Sequence, residues 1–183
     1  MQFYDVIESR TSVREFHSTP IDKESLARAI NSAMMSPSWK NNTSYKFILV
    51  DDSREKDMLA EAIMNDNNSA SESVRQAPMV AVIVADPDKS GIVADKEYYL
   101  VDSAIAMEHF ILAVTNEGYG TCWIGAVDEN KVRQILSIPN NQRVVAMTPI
   151  GKTAEHQGHH PKKDVREYVF LNKWGKSYTE NYS

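Results

Sequence analysis

Apolar positions along this chain alternate between helical spacing and short continuous runs. Phe3, Val6 and Ile7 recur at helical spacing and predict a short N-terminal helix. Arg10-Thr11-Ser12-Val13-Arg14-Glu15-Phe16 reads as extended chain. A second helix is predicted to start after Asp22, an N-cap residue with Ile21 and Leu26 at the hydrophobic-staple positions. It runs to about Met35 and stops at Ser36-Pro37, because the residue before proline is pushed out of the helical region. Ser38 to Ser44 is polar loop, and Phe47-Ile48-Leu49-Val50 has the length and composition of a strand. Ser53 to Ile63 predicts a helix with Met58, Leu59, Ala62 and Ile63 on one side, and Asn65 to Ser71 reads as polar loop.

Pro78 then introduces Met79 to Ala85, an almost unbroken apolar run, which predicts a strand buried on both faces. Tyr98 to Glu117 is the longest helix candidate and is apolar on nearly every side, as a helix covered all round is, by its own domain or in part by another subunit. Gly118 ends it. Gly120 to Gly125 reads as a compact loop or short strand, Asp128 caps a helix to Leu136, and Val144 to Met147 predicts a third strand. Tyr168, Val169, Phe170, Leu171 and Trp174 near the C-terminus need a surface to cover, on the chain's own body or on a partner. The pattern predicts an α+β fold: a central mixed β-sheet flanked by helices, with the long buried apolar helix at the middle.

The chain has 183 residues, which suits a single domain spanning 1–183. Its composition is that of an ordinary globular protein, and a net charge of -5 favours neither nucleic acid nor an anionic membrane surface. The apolar stretch from Tyr98 to Val114 is broken by Asp102, Glu108 and His109, so no membrane span is expected, and the N-terminus carries no signal-peptide pattern. A lone cysteine, Cys122, leaves no internal disulfide and points to a reducing cytoplasm.

Three segments could carry chemistry. In extended chain Arg10, Ser12 and Arg14 project to one face, where two guanidinium groups and a hydroxyl suit a phosphate; a solvated edge strand paired with Glu8 or Glu15 is the plainer alternative. The loop Ser36 to Phe47 can offer amides and hydroxyls to a flat polar ligand, or can simply connect a helix to a strand. In Gly120-Thr121-Cys122-Trp123-Ile124-Gly125 the glycines permit close backbone approach to a cofactor ring, or shape a tight turn.

Taken in order, Arg-x-Ser-x-Arg, Pro-Ser-x-x-Asn and Gly-x-Gly-Thr-Cys-Trp-Ile-Gly resemble the nitroreductase family, as do Ala77-Pro78 before an apolar strand, Tyr99 to Ala104 opening a long helix, Pro149-Ile150-Gly151 and the basic Pro161-Lys162-Lys163. The resemblance covers nearly the whole chain. It implies one FMN per site, bound without a covalent link, at the interface of a homodimer. Arg10, Thr11, Ser12 and Arg14 would hold the phosphate and ribityl end, joined by Lys162 or Lys163. Pro37, Ser38, Trp39 and Asn41 would contact the ribityl chain and ring edge, partly from the other subunit. Cys122, Trp123, Ile124 and Gly125 would lie along the isoalloxazine, with a backbone N–H near Ile124 or Gly125 aimed at flavin N5. The resemblance also implies an oxidoreductase that passes a hydride from NAD(P)H, a transient reductant, to an electron-poor small molecule such as a nitroaromatic, quinone or activated alkene. No side chain stands out as a proton donor. This chain departs from the family's usual loop at Lys40, often glycine, and at Asn42-Thr43-Ser44-Tyr45, often x-Gln-Pro-Trp.

No Gly-x-Gly-x-x-Gly follows a strand, so no separate Rossmann nicotinamide site is expected, and ping-pong transfer at one place follows. The competing readings are a Cys122 thiol enzyme, a flavin-binding or ligand-sensing protein without turnover, and a metal site at His156, His159 and His160; Gly158 and Pro161 favour loop there, and no metal is expected.

Overall fold

A computed structural model describes residues 1–65, 68–154 and 163–178. Its centre is a four-stranded sheet in the order β1-β2-β6-β5, where β1 is Tyr45–Val50, β2 Met79–Ala85, β5 Gly120–Thr121 and β6 Arg143–Gly151. These strands pair antiparallel throughout, and one parallel bridge, Ser12 to Thr121, adds the 10–16 segment along the β5 edge. A separate two-stranded hairpin joins β3 (Ile92–Val93) to β4 (Lys96–Glu97).

β2 is central because it is apolar on both faces. Val80, Val82 and Val84 point into one core, with Leu59 of α3 (Ser53–Glu61), Val74 of α4 (Ser69–Gln76) and Val132 of α6 (Glu129–Ile135). Ala81 and Ile83 point into the other, with Ala29 and Ala33 of α2 (Lys23–Met34) and Met107, Phe110 and Ile111 of α5 (Tyr98–Asn116). Period-two alternation on a strand covered from both sides thus sets three layers. A third, small cluster of Val13, Phe16 and Ala77 fastens the 10–16 segment to the sheet edge.

Local signals place most boundaries. Asp22, Asp52 and Asp128 cap α2, α3 and α6 with carboxylate-to-amide hydrogen bonds, and Gly118, at φ +80°, follows α5 in the left-handed region. Two expectations change. Ser69 to Ser71, read as loop, begins helix α4. Its buried residues are only Ala70, Ser73 and Val74, too small to mark a periodic face. β6 is longer than its apolar run and carries Pro149 inside it. Of the two covers expected for helix α5, the described chain supplies only part: Leu100 and Val101 are 44% and 45% exposed.

The C-terminal segment carries α7 (Val165–Tyr168) and a tight return in which Tyr178 N–H donates to Val169 O and the Phe170 and Trp174 rings lie 4.9 Å apart. Trp174 is 91% exposed, so its apolar surface finds no cover in the described chain. No helix among the described residues is long and apolar enough to cross a membrane.

Candidate active site

The first corner of the site lies at the β5 edge. Val13 is buried and its N–H donates to Thr121 O at 2.8 Å, so alternation turns Ser12 and Arg14 to the opposite side. Gly120 lets the two segments meet this closely, since a Cβ there would stand 2.5 Å from Val13 Cγ2. Arg10 and Arg14 bring positive charge, and Ser12 a hydroxyl, to the neighbourhood of the Cys122 thiol. Burial pushes that thiol up, against the Arg14 and Arg10 charges and a hydrogen bond with Ser12. A cavity of about 290 Å³ opens beside it, walled by Arg14, Asn65, Ser69, Ala70, Cys122, Trp123 and Ile124. A larger cavity of about 410 Å³, beside Lys46, Leu136 and Pro139, contains neither arginine and no part of the glycine segment.

The segment after β5 presents backbone to that cavity. Ile124 N–H is not free for a ligand: it donates to Met147 O at 2.9 Å, and Ile124 O accepts from Met147 N–H at the same distance. That corrects half of the expectation for flavin N5 and leaves Gly125. Among the described residues none accepts the Gly125 N–H, and the residue is exposed. Its φ lies outside the left-handed region, and an added Cβ would meet only Trp123 Nε1, at 3.5 Å. The chain's own packing therefore does not require a glycine at position 125. Trp123 is 41% exposed, so it does not fill the core.

The second corner is the loop after α2. Ser38 Oγ accepts from Thr43 N–H, and a 3-10 turn spans Trp39–Asn41. Lys40, Asn41 and Thr43 have φ of 48°, 58° and 50°, a left-handed run without a glycine. Trp39 is pinned against Gly91, where a Cβ would stand 2.3 Å from its Cε2, and against the Tyr98 ring at 4.6 Å. Pro37 and Asn41 are exposed at the tip. Beneath the loop lies Asp102, 2% exposed, which accepts from Trp39 N–H at 2.7 Å, Ser44 Oγ at 2.8 Å and Ser90 Oγ at 3.0 Å.

The two corners do not meet in one chain. Tyr45, which follows the loop, is on the opposite edge strand from Thr121, and the registers put it at the opposite end of the sheet. Three strand spacings across and about six residues along separate them by roughly 25 Å. Lys163 lies in the C-terminal segment, its Nζ 5.2 Å from the Tyr168 ring centroid; Lys162 and His156, His159 and His160 fall outside the described residues. Among the described residues no group of histidine, cysteine and carboxylate side chains could hold a metal.

Residues 7–152, bearing both corners, match the family model described as the nitroreductase family. The chain belongs to the nitroreductase family. This nitroreductase is 50% identical to a nitroreductase family protein from Clostridium novyi NT, at a TM-score of 0.83 with 100% of each chain covered. It is 25% identical over 163 residues to a 5,6-dimethylbenzimidazole synthase of Rhodospirillum rubrum, covering 78% of this chain and 77% of that one. It also shares the fold of the NADPH:FMN oxidoreductase from Vibrio harveyi complexed with NAD+, with 21% identity, a TM-score of 0.84, and 96% of this chain and 79% of that chain covered.

Within the nitroreductase frame, Lys40 occupies a left-handed position that the family often gives to glycine. Asn65 and Ser69 join the cavity wall although nothing beyond loop character marked them in the sequence. Asp102 drew notice only as an interruption of an apolar run. The thiol-enzyme reading loses its basis, since Cys122 is buried and its thiol is pushed away from ionisation at neutral pH.

Proposed function

We propose that this nitroreductase holds FMN at the β5 corner and uses it to pass reducing equivalents from NAD(P)H to an electron-poor small molecule. The observation that carries the reading is that Ser12 and Arg14 lie on the side of the 10–16 segment opposite the buried Val13, at an edge where Arg14, Cys122, Trp123 and Ile124 wall one cavity and the adjoining Gly125 is exposed. FMN pairs a dianionic phosphate with a flat, acceptor-rich ring, and this corner supplies a cationic cluster and a backbone donor side by side. Arg10 and Arg14 would bind the phosphate with Ser12, and Thr11 would line the ribityl path. The Gly125 N–H would donate to the ring, and positive charge nearby favours the reduced, more anionic state. Held by these residues, FMN would supply the hydride chemistry between NAD(P)H and a nitroaromatic, quinone or activated alkene, the two small molecules taking turns at one place.

A cavity of about 290 Å³ is at or below the size expected for a whole cofactor pocket. The missing wall would come from a second copy, whose loop with Pro37, Ser38, Trp39 and Asn41 closes the site. The separation of the two corners supports a homodimer, as do the exposed Leu100 and Val101 on α5 and the uncovered Trp174.

The experiment is a visible spectrum of protein purified without added cofactor, followed by FMN titration. Flavin bands that NADH or NADPH bleaches and air restores are expected, with weaker FMN retention in Arg10→Ala and Arg14→Ala. Colourless protein that takes up no FMN would end the reading. Flavin that neither nicotinamide bleaches would reduce the protein to a flavin binder.

A further inference from the structure

Asp102 is a buried carboxylate that no cation among the described residues pairs with, a costly arrangement in a fold that could close the same space with an apolar side chain. Its two oxygens collect three donors from three separate stretches of chain. Oδ1 takes the Trp39 N–H at the start of the 39–41 turn, and Oδ2 takes the hydroxyls of Ser44, at the entrance to β1, and Ser90, ahead of the β3–β4 hairpin. Between the first two attachment points lie Lys40, Asn41 and Thr43, all at positive φ. Non-glycine residues keep such a backbone only where their surroundings over-determine it, and strain of this kind gathers at ligand clamps. The carboxylate supplies that determination from below, while Gly91 and Tyr98 hold the Trp39 ring from the side. What the clamp holds rigid is the exposed tip around Asn41, and that tip is distant from its own chain's Arg10–Arg14 corner.

We infer that Asp102 is a positioning residue acting in trans: by fixing the 37–43 loop it completes the flavin site built on the partner chain's arginines, not on its own. The inference rests on the FMN reading above, in which the loop serves the second copy, and adds to it which residue presets that loop. Asp102 touches no cofactor. It sets the geometry of the residues that do.

The test uses full-length chains, FMN as the probe and quenching of flavin fluorescence as the readout. Asp102→Ala and Arg14→Ala homodimers should each bind FMN at least about tenfold more weakly than the parent. The two variants are then unfolded together, refolded as a mixture and titrated. A mixed dimer pairs an intact arginine corner on the Asp102→Ala chain with an intact loop on the Arg14→Ala chain. Random pairing should therefore return parental affinity to roughly one site in four. Recovery of that size supports the assignment. Absence of recovery from mixed dimers, verified by differential tags, overturns it, because a loop serving its own chain leaves no intact site. Unchanged affinity in Asp102→Ala also overturns it. Should Asp102→Ala fail to fold, the Ser44→Ala/Ser90→Ala chain, which removes two of the three donors, replaces it with the same expected recovery. A parent that binds no FMN brings down the cofactor reading itself, a result distinct from tight parental binding without complementation.

Discussion

Replacing Gly120 by alanine tests how the phosphate corner is built. The new Cβ would stand 2.5 Å from Val13 Cγ2 and 2.8 Å from Val13 Cβ. Carbon atoms settle about 3.5–4.0 Å apart, so the neighbouring segment must retreat by about 1 Å. A rotamer change cannot absorb this, because Val13 Cβ moves only with its backbone, and that backbone is bonded to Thr121 O at 2.8 Å. Overpacking of this kind costs about 1–3 kcal/mol. Gly120 is not at positive φ, so alanine recovers about 0.4–1 kcal/mol by restricting the unfolded chain. The net loss is centred near about 1 kcal/mol, which for a chain of this size lowers Tm by about 2–4 °C. Ser12 and Arg14 flank Val13 and move with it, so FMN retention should fall as well. Scanning calorimetry of cofactor-free protein reads the first effect and FMN titration the second. Gly125→Ala is the control: its Cβ meets Trp123 Nε1 at an ordinary 3.5 Å, so its stability should hold within about 0.5 kcal/mol of the parent. A Gly120→Ala protein melting at or above the parent would refute the claim that Val13 and Gly120 set this corner.

Lys40→Gly should raise stability by about 0.5 kcal/mol, since relief of left-handed strain outweighs glycine's unfolded-state entropy and a lost contact with Trp39; a lower urea midpoint would count against strain at φ 48°. The Arg28 guanidinium, bonded to Glu117 at 2.7 Å, holds that carboxyl down at about 2 from an ordinary 4.5. A depressed carboxyl contributes stability above its unfolded value and loses it as pH falls toward 2, so the stability gap between parent and Arg28→Ala should be full at pH 6 and shrink below pH 4.5. A gap constant from pH 6 to pH 2 would assign it to packing instead. Cys122→Ala should keep its flavin reducible by NADPH, and the parent thiol should react with iodoacetamide more slowly at neutral pH than a free cysteine does; fast labelling would reopen the thiol-enzyme reading.

Much of this fold is legible in the chain because its signals are local. Asp22, Asp128 and Gly118 mark helix ends within a few residues of what they terminate, and the run Met79 to Ala85 announces a strand covered on both faces without reference to anything distant. What escaped was non-local or faint. Helix α4 buries a serine and two small apolar residues, and the β3–β4 hairpin turns through Ala94 and Asp95 where an Asn-Gly pair would have been recognised. At the site, the one-face placement of Arg10, Ser12 and Arg14 follows from strand periodicity, but the engagement of Ile124 N–H depends on Met147, more than twenty positions away. Asp102 was the least visible residue, since its three donors come from positions 39, 44 and 90 and share no motif with it.

The two corners are fastened differently, and that difference governs where the chain can vary. At β5 the attachments are backbone to backbone, Val13 to Thr121 and Ile124 to Met147, so the path of the chain is fixed there independently of its outward side chains, Gly120 apart. At the loop the fastening is largely by side chains, the Asp102 carboxylate, Ser38 Oγ, Asn42 Nδ2 and the Trp39 ring, and the residues from Trp39 to Ser44 bear no part of the sheet. Insertions, deletions and changes of polarity between Trp39 and Ser44 can then accumulate without passing through the hydrophobic layers. This is where the chain departs from its family's usual pattern. One end of the scaffold is thereby tied to the backbone of the sheet, while the other can change its surface without disturbing the layers beneath.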